Sequence, residues 1–178
     1  MTPTGKQPIE APAPGSTLAR VADWAEMTLA SAGVSHGHGT DNARDEAVWL
    51  ILSALGRSPV SGEADPGETV DAAGIASVCA LLDERVRTRC PAAYLTGTAW
   101  FAGMSFAVDR RVLVPRSPLA EPIMERFSPW FGEQPAERIL EIGTGSGCIA
   151  AACAVAFPEA EIDACDIDPA ALEVAEEN

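Results

Sequence analysis

The stretch that decides the fold is Arg138-Ile-Leu-Glu-Ile-Gly-Thr-Gly-Ser-Gly-Cys-Ile-Ala150, in which three glycines at alternate positions follow a short apolar run. The apolar run predicts a buried strand, and the apolar residues after the glycines predict a helix. A strand, a glycine-rich turn and a helix in this order present free backbone N–H groups at the helix N-terminus. Gly143, Gly145 and Gly147 therefore indicate a place where a ligand approaches the backbone closely.

A second strand and helix follow the first pair. Residues 160–168 predict a strand, and Pro169 is placed to open a helix. Asp166 lies 19 residues after Gly147, and an acidic residue about 20 residues beyond such glycines hydrogen-bonds ribose hydroxyls. The second half of the chain thus has the order β-α-β-α, and its ligand is predicted to contain an adenosine-like ribose.

The glycine spacing and its neighbours narrow the choice of ligand. The dinucleotide fingerprint G-x-G-x-x-G/A fails because Cys148 occupies its last position, and a P-loop would need a lysine that is absent here. Glu141 stands just before the turn, where a carboxylate would repel a pyrophosphate and attract an ammonium group. S-adenosylmethionine carries a ribose, an ammonium and a sulfonium. At this point the sequence resembles the class I S-adenosylmethionine-dependent methyltransferases.

The first half of the chain has helical periodicity. Gly33 is placed to end a first helix, Thr40 to cap a second, and a third follows Thr69. Beyond Pro91, the mixture of aromatic and β-branched residues predicts a hairpin, and residues 116–127 return to helical spacing. The apolar positions predicted to face the helical core are Leu18, Val21, Ala25, Leu29, Ala47, Leu50, Ile51, Ala54, Leu55, Ile75, Val78, Leu82 and Val86.

Composition excludes several classes of function. The net charge is −14, with 26 acidic and 12 basic residues, so the surface would repel nucleic acid and attract a basic partner. Five cysteines without a C-x-x-C pair argue against a disulfide framework or a zinc site, and we interpret His36 and His38 as structural rather than metal ligands. With no apolar run of membrane-spanning length and no signal peptide pattern, we predict a cytoplasmic protein without membrane contact.

A narrower resemblance extends from about residue 17 to residue 178. Residues 91–121 are similar to the hairpin segment of the protein-(glutamine-N5) methyltransferases, and they end in Pro115-Arg-Ser-Pro-Leu-Ala-Glu121. Together with "AWFAG" at 99–103 and "GHGTDNARDEA" at 37–47, this ending resembles the branch that modifies a glutamine of the third large-subunit ribosomal protein. We expect the 178 residues to be the N-terminal portion of such an enzyme.

The resemblance implies a fold and its division into segments. The expected class is α/β, with a class I (Rossmann-like) methyltransferase sheet that is truncated here and preceded by a small helical domain and a β-hairpin. The expected segments are a disordered tail at 1–16, a helical substrate-recognition domain at 17–90, a hairpin connector at 91–117 and the start of the methyltransferase domain at 118–178.

The resemblance also implies roles for individual residues. No catalytic residue is expected in this chain, because the Asn-Pro-Pro-Tyr motif that holds the substrate amide in the family does not occur in the sequence. Pro115 and Arg116 are expected at the mouth of the cofactor or substrate site. The residues expected to bind the cofactor are Glu141, Gly143, Thr144, Gly145 and Gly147 at the methionine moiety, Asp166 at the ribose hydroxyls and Ile167 beside the adenine.

The implied reaction is transfer of the S-adenosylmethionine methyl group to the side-chain amide nitrogen (N5) of a glutamine in a basic large-subunit ribosomal protein. We expect this to be the activity of the parent protein and the 178 residues alone to be inactive. The alternatives are the branch acting on peptide release factors, a non-catalytic module that binds a ribosomal protein, and a dinucleotide oxidoreductase. The sequence does not predict the oligomeric state.

Overall fold

The computed structural model describes residues 9–37, 39–58, 64–131 and 136–178. The chain divides into two compact units, residues 1–96 and 97–178, which are described separately. The division lies inside the segment predicted as the connector. Within the described residues, no helix combines the length and apolar character needed to cross a membrane.

Unit 1 is helical. Its helices are α1 (Leu18–Ser31), α2 (Ala43–Ala54), α3 (Ala72–Thr88) and the short α4 (Ala92–Thr96). The core is formed where α2 packs against α1 and α3, and the predicted stripes of α1 and α3 are buried at Leu18, Val21 and Val78, among other positions.

The start of α2 differs from the prediction. Asn42, not Thr40, caps this helix, and its side chain accepts a hydrogen bond from the Asp45 N–H at 2.9 Å. The Thr40 hydroxyl instead donates to the Glu46 carboxylate at 3.4 Å. Both residue types are good caps, so composition alone could not choose between them. Likewise α3 begins after Asp71, whose side chain accepts from the Gly74 N–H.

The segment before α1 is ordered where it is described. The Gly15 N–H donates to the Val70 carbonyl at 2.8 Å, and the Val70 N–H donates to the Ser16 carbonyl at 2.9 Å. The indole N–H of Trp24 donates to the Ile9 carbonyl at 3.2 Å. Within the segment predicted as a disordered tail, Ile9, Gly15 and Ser16 therefore bond to residues that are distant in sequence. Residues 1–8 lie outside the described residues.

Unit 1 also buries an ion pair that periodicity did not predict. Arg85 of α3 donates from Nε to Glu46 of α2 at 2.7 Å, and both side chains are almost fully buried. Arg85 also donates to the Ser35 carbonyl at 2.9 Å. His36 lies 3.0 Å from the same Glu46 carboxylate, whereas His38 lies outside the described residues. His36 thus belongs to this buried cluster.

Unit 2 begins with the predicted hairpin. Strands β1 (Thr98–Phe101) and β2 (Met104–Ala107) pair antiparallel, and the turn between them passes through Ala102 and Gly103, both with positive φ. Helix α5 (Ala120–Met124) is shorter than the predicted 116–127. Arg126 and Phe127 adopt left-handed backbone conformations, which cannot continue a right-handed helix.

The rest of unit 2 has the predicted β-α-β-α order. The elements are β3 (Arg138–Ile142), α6 (Cys148–Ala156), β4 (Glu161–Cys165) and α7 (Pro169–Glu177). Strands β3 and β4 are parallel, with Ile139 opposite Ile162 and Leu140 opposite Asp163. Parallel strands need a crossover connection, which α6 supplies here. This arrangement supports an α/β fold.

Only one face of the β3–β4 sheet is covered. Ile139 and Ile162 pack toward the core cluster that contains Ile123, whereas Leu140 and Ile142 on the opposite face are 62% and 79% exposed. The prediction of a fully buried strand is therefore wrong for this face among the described residues. The apolar pattern was correct, but the burial of a second face depends on a further layer of chain.

Candidate functional site

The glycine loop, residues 143–147, lies at the carboxyl end of β3 and continues into α6. The N–H groups of Gly143 and Thr144 donate to the Cys165 carbonyl at 2.8 and 3.0 Å. These bonds hold the loop against the last residue of β4. The carboxyl ends of parallel strands are where α/β sheets bind ligands.

The three glycines are required for different reasons. Gly143, Gly145 and Gly147 all have positive φ, at 81°, 54° and 78°. Residues other than glycine rarely adopt this backbone conformation. A Cβ atom at Gly147 would lie 3.3 Å from the Cβ of Ala175, so this glycine also permits close packing on α7. A Cβ atom at Gly143 or Gly145 would meet no heavy atom within 4 Å. These two positions line open space, as a ligand at the loop would need.

The carboxylate before the loop has partners within the protein. Glu141 Oε2 accepts a hydrogen bond from the Thr144 hydroxyl at 2.7 Å and from the Ala150 N–H at 2.9 Å. Ala150 is in the first turn of α6, whose own N-cap, Gly147, has no side chain to offer. Glu141 therefore caps α6 from the neighbouring strand, and its negative charge interacts favourably with the positive end of the helix dipole.

Asp166 is bound to the glycine loop. Its Oδ2 atom accepts from the Gly145 N–H at 2.8 Å, and its Oδ1 atom accepts from the Asp168 N–H at 3.0 Å. Hydrogen bonds from the N–H groups of Asp168 and then Gly145 lower the pKa of the Asp166 carboxyl below its usual range. Each oxygen of an ionised carboxylate has a second lone pair, so the group can still accept hydrogen bonds from two adjacent hydroxyls.

The structure brings together some of the predicted site residues and not others. Thr144 bonds to Glu141 and to Gly147, and Gly145 bonds to Asp166. Gly143 lies in the same loop but bonds to the Cys165 carbonyl. Ile167, next to Asp166, is 100% exposed. Pro115 is buried and Arg116 is exposed, and in the described part of the chain neither forms a hydrogen bond with the loop.

Asn178 is a contact of the loop that sequence reasoning missed. Its side chain donates to the Ser146 carbonyl at 2.9 Å. No local sequence signal predicts this bond, because Ser146 and Asn178 are separated by α6, β4 and α7.

The cysteines near the loop have structural roles. Cys148 and Cys153 are buried free thiols, and burial raises the pKa of both. A protonated, inaccessible thiol is a poor nucleophile. Within the described ranges, no group of three or more His, Cys, Asp or Glu side chains is placed to hold a metal ion.

Comparison with known proteins identifies related sequences. Residues 125–178 match the family described as "Methyltransferase small domain", and this segment contains β3, the glycine loop and Asp166.

Curated relatives match a much longer part of the chain. Ribosomal protein uL3 glutamine methyltransferase from Bordetella pertussis (strain Tohama I) is 47% identical over 163 residues, covering 91% of this chain and 55% of the relative. The protein of the same name from Xanthomonas campestris pv. campestris is 48% identical over 83% of this chain and 48% of the relative. The one from Xylella fastidiosa (strain Temecula1) is 42% identical over 91% of this chain and 52% of the relative.

The chain thus spans about half the length of the curated relatives it matches. The similarity includes the helical unit as well as the glycine loop, so it does not rest on a cofactor-binding motif alone. Over most of its own length the chain is therefore similar to curated ribosomal protein uL3 glutamine methyltransferases.

Proposed function

We propose that the glycine loop and Asp166 bind S-adenosylmethionine, and that the whole protein methylates a glutamine side chain of ribosomal protein uL3. The observation that carries the cofactor assignment is the bond between the Asp166 carboxylate and the Gly145 N–H. It keeps the ionised Asp166 carboxylate against a loop with open space at Gly143 and Gly145, and this supports the assignment of Asp166 to the ribose hydroxyls. The names of the curated relatives support the substrate assignment.

The remaining residues fit the cofactor by their chemistry. Glu141 has two donors on Oε2, and its other oxygen offers a negative charge to the cofactor ammonium. The exposed Ile167 offers an apolar surface for the adenine. Pro115 and Arg116 stay assigned to the mouth of the site through the family resemblance.

The bound cofactor would supply an electrophilic methyl group on a sulfonium. The substrate nitrogen is a weak nucleophile because its lone pair is delocalised into the amide carbonyl. The protein must therefore hold it in line with the methyl group, and orientation of this kind contributes about 7–11 kcal/mol in favourable cases. The family motif that holds the amide is absent from this sequence, so we assign the chain a role in binding and orienting the cofactor and no catalytic residue.

We further propose a role for each segment. Residues 97–178 contain the first two strands of a class I methyltransferase sheet, since parallel strands with one bare apolar face are otherwise uncommon. The helical segment 17–90 recognises the substrate in the cytoplasm. The net charge of −14 suits a basic ribosomal protein as the partner, and it disfavours direct contact with nucleic acid.

Calorimetric titration with S-adenosylmethionine tests the cofactor site. We expect Asp166→Ala and Asp166→Asn to weaken binding at least about tenfold, because a charged acceptor of two hydrogen bonds is lost. Asp163→Asn is the matched control, since this exposed aspartate pairs with Arg138 on the exposed face of the sheet, the face that carries Leu140. Equal affinity in the wild type and both Asp166 variants would contradict the ribose assignment, and heat on adding NADH would favour a dinucleotide enzyme.

Methyl transfer to candidate substrates tests the substrate assignment. The longer protein containing this chain is incubated with radiolabelled S-adenosylmethionine and either uL3 or a peptide release factor. Label on a uL3 glutamine is the expected result. Label on the release factor alone would move the protein to the sister branch, and salt-sensitive uL3 binding without transfer would indicate a binding module.

A further inference from the structure

The nitrogen and the oxygen of the Asn178 side-chain amide both form hydrogen bonds. One Nδ2 hydrogen goes to the Ser146 carbonyl at 2.9 Å, and the other goes to the Ala107 carbonyl at 3.0 Å. Its Oδ1 atom accepts from the Ala107 N–H at 2.6 Å. Among the standard side chains, only primary amides combine two donors with an acceptor in one plane. The position therefore demands the chemistry of asparagine and not only its size.

The two bonds to Ala107 provide partners for its N–H and C=O groups at the outer edge of β2. Ala107 is opposite Thr98 in the hairpin, and the next bond to β1 runs from the Val108 N–H to the Gly97 carbonyl. In an antiparallel pair, the N–H and C=O groups of alternate residues point away from the partner strand. Those of Ala107 face outward, and the Asn178 amide pairs with both as a neighbouring strand would.

The last two turns of α7 are fixed to the same regions. Glu173 accepts from Arg111 at 3.0 Å, just beyond β2, and Ala175 packs against Gly147. The end of α7 therefore touches the glycine loop at Gly147 and Ser146 while it is attached to the hairpin at Ala107 and Arg111. The loop is held on one side by Asp166, through Gly145, and on the other by Asn178, through Ser146.

We infer that Asn178 is a positioning residue for the cofactor loop: by bonding Ser146 to the outer edge of β2, it fixes the loop in the conformation that leaves Gly143 and Gly145 facing open space. The effect on cofactor affinity rests on the proposed function, whereas the effect on the loop does not. Asn178 touches the loop backbone and has no assigned contact with the reacting atoms.

The test compares Asn178→Ala and Asn178→Asp with the wild type in the full chain. Aspartate keeps the shape of asparagine but loses both donors and places a charge against two carbonyl oxygens. Hydrogen exchange of residues 143–150, measured by mass spectrometry without ligand, reports the loop directly. Titration with S-adenosylmethionine then reports whether the loop geometry matters for the cofactor.

Two controls separate positioning from general destabilisation. Glu176→Gln changes an exposed residue of the same turn that forms no hydrogen bond or ion pair with any described residue. Val174→Ala removes buried apolar contacts of α7 and so weakens the helix without removing a bond to the loop. If the loop depended only on the stability of α7, Val174→Ala would have the same effect as the Asn178 variants.

We expect exchange in 143–150 to rise about tenfold in both Asn178 variants, with affinity falling by a similar factor, and to change little in the two controls. Unchanged exchange in the Asn178 variants, or an equal rise in Val174→Ala, would overturn the inference. Faster exchange with unchanged affinity would overturn the link to the cofactor. If the wild type binds no S-adenosylmethionine, the proposed function fails while the exchange data still decide the role of Asn178.

Discussion

The helical unit and the second unit differ in whether their apolar surface and their ion pairs are buried or exposed. Unit 1 encloses its core so fully that Glu46 and Arg85 are buried and must satisfy each other. Unit 2 leaves Leu140 and Ile142 on one bare sheet face and keeps the ion pairs of Arg138 at the surface. Yet its glycine loop is connected to the surrounding elements by direct hydrogen bonds.

The difference shows that a closed core and an ordered binding loop have separate causes. The core of unit 1 depends on apolar and charged groups that meet from distant parts of the chain. The loop of unit 2 is shaped by positive-φ glycines, by hydrogen bonds that Glu141 and Asp166 accept from it and by the bond that Asn178 donates to it. Because those bonds lie at the carboxyl end of the strands, they do not require the bare face to be covered.

The largest expected effect is the loss of the buried ion pair. We expect Arg85→Ala or Glu46→Ala to cost about 3–5 kcal/mol of unfolding free energy, because each removes one partner of the buried ion pair. Urea unfolding, monitored by the circular dichroism signal of the helices, measures this cost in free energy. Arg138→Ala, which breaks exposed pairs in unit 2, should cost at most about 1 kcal/mol. Similar costs for Arg85 and Arg138 would remove the proposed contrast between the units.

The second prediction concerns the two environments of isoleucine in unit 2. Ile123 is 0% exposed, so Ile123→Ala should cost about 2–5 kcal/mol. Ile142→Ala, on the bare face, should change stability by no more than about 0.5 kcal/mol. Denaturation at two protein concentrations measures both variants. A large, concentration-dependent cost for Ile142→Ala would mean that this face is covered by another copy of the chain.

The smallest predicted effect tests the start of α2. Asn42→Ala should cost about 1 kcal/mol, because the Asp45 N–H loses its cap. Thr40→Ala should cost less, because the hydroxyl gives only a long bond to Glu46. The same urea denaturation compares them. A greater loss for Thr40→Ala than for Asn42→Ala would restore Thr40 as the cap.

Local pattern predicted much of the fold. Three helices with their apolar stripes, the hairpin, and the strands and helices around the glycine loop could all be inferred from spacing. What local pattern did not predict depended on distant partners or on backbone conformation: Gly15 and Ser16 bond to Val70, and α5 ends early because Arg126 and Phe127 are left-handed. The choice between Thr40 and Asn42 also failed, because both residue types can cap a helix.

For the candidate site, sequence reasoning selected Glu141, Gly145 and Asp166. In the structure Gly145 lies in the loop, and the carboxylates of Glu141 and Asp166 accept hydrogen bonds from loop residues. It did not reveal that Glu141 caps α6, or that Gly147 packs on Ala175. Asn178 could not be found at all, since a lone asparagine at a helix end usually indicates only a cap.

Taken alone, the amino-acid sequence determined the order of helices and strands, the position of the glycine loop and the family resemblance, because these follow from local periodicity, residue type and motif. Only the tertiary structure decided which polar groups meet. The pairing of Glu46 with Arg85, the bond from the Gly145 N–H to Asp166 Oδ2 and the amide of Asn178 between Ser146 and Ala107 all join residues far apart in the chain. Hydrogen bonds act over about 3 Å, so such partners are known only when the chain has been folded.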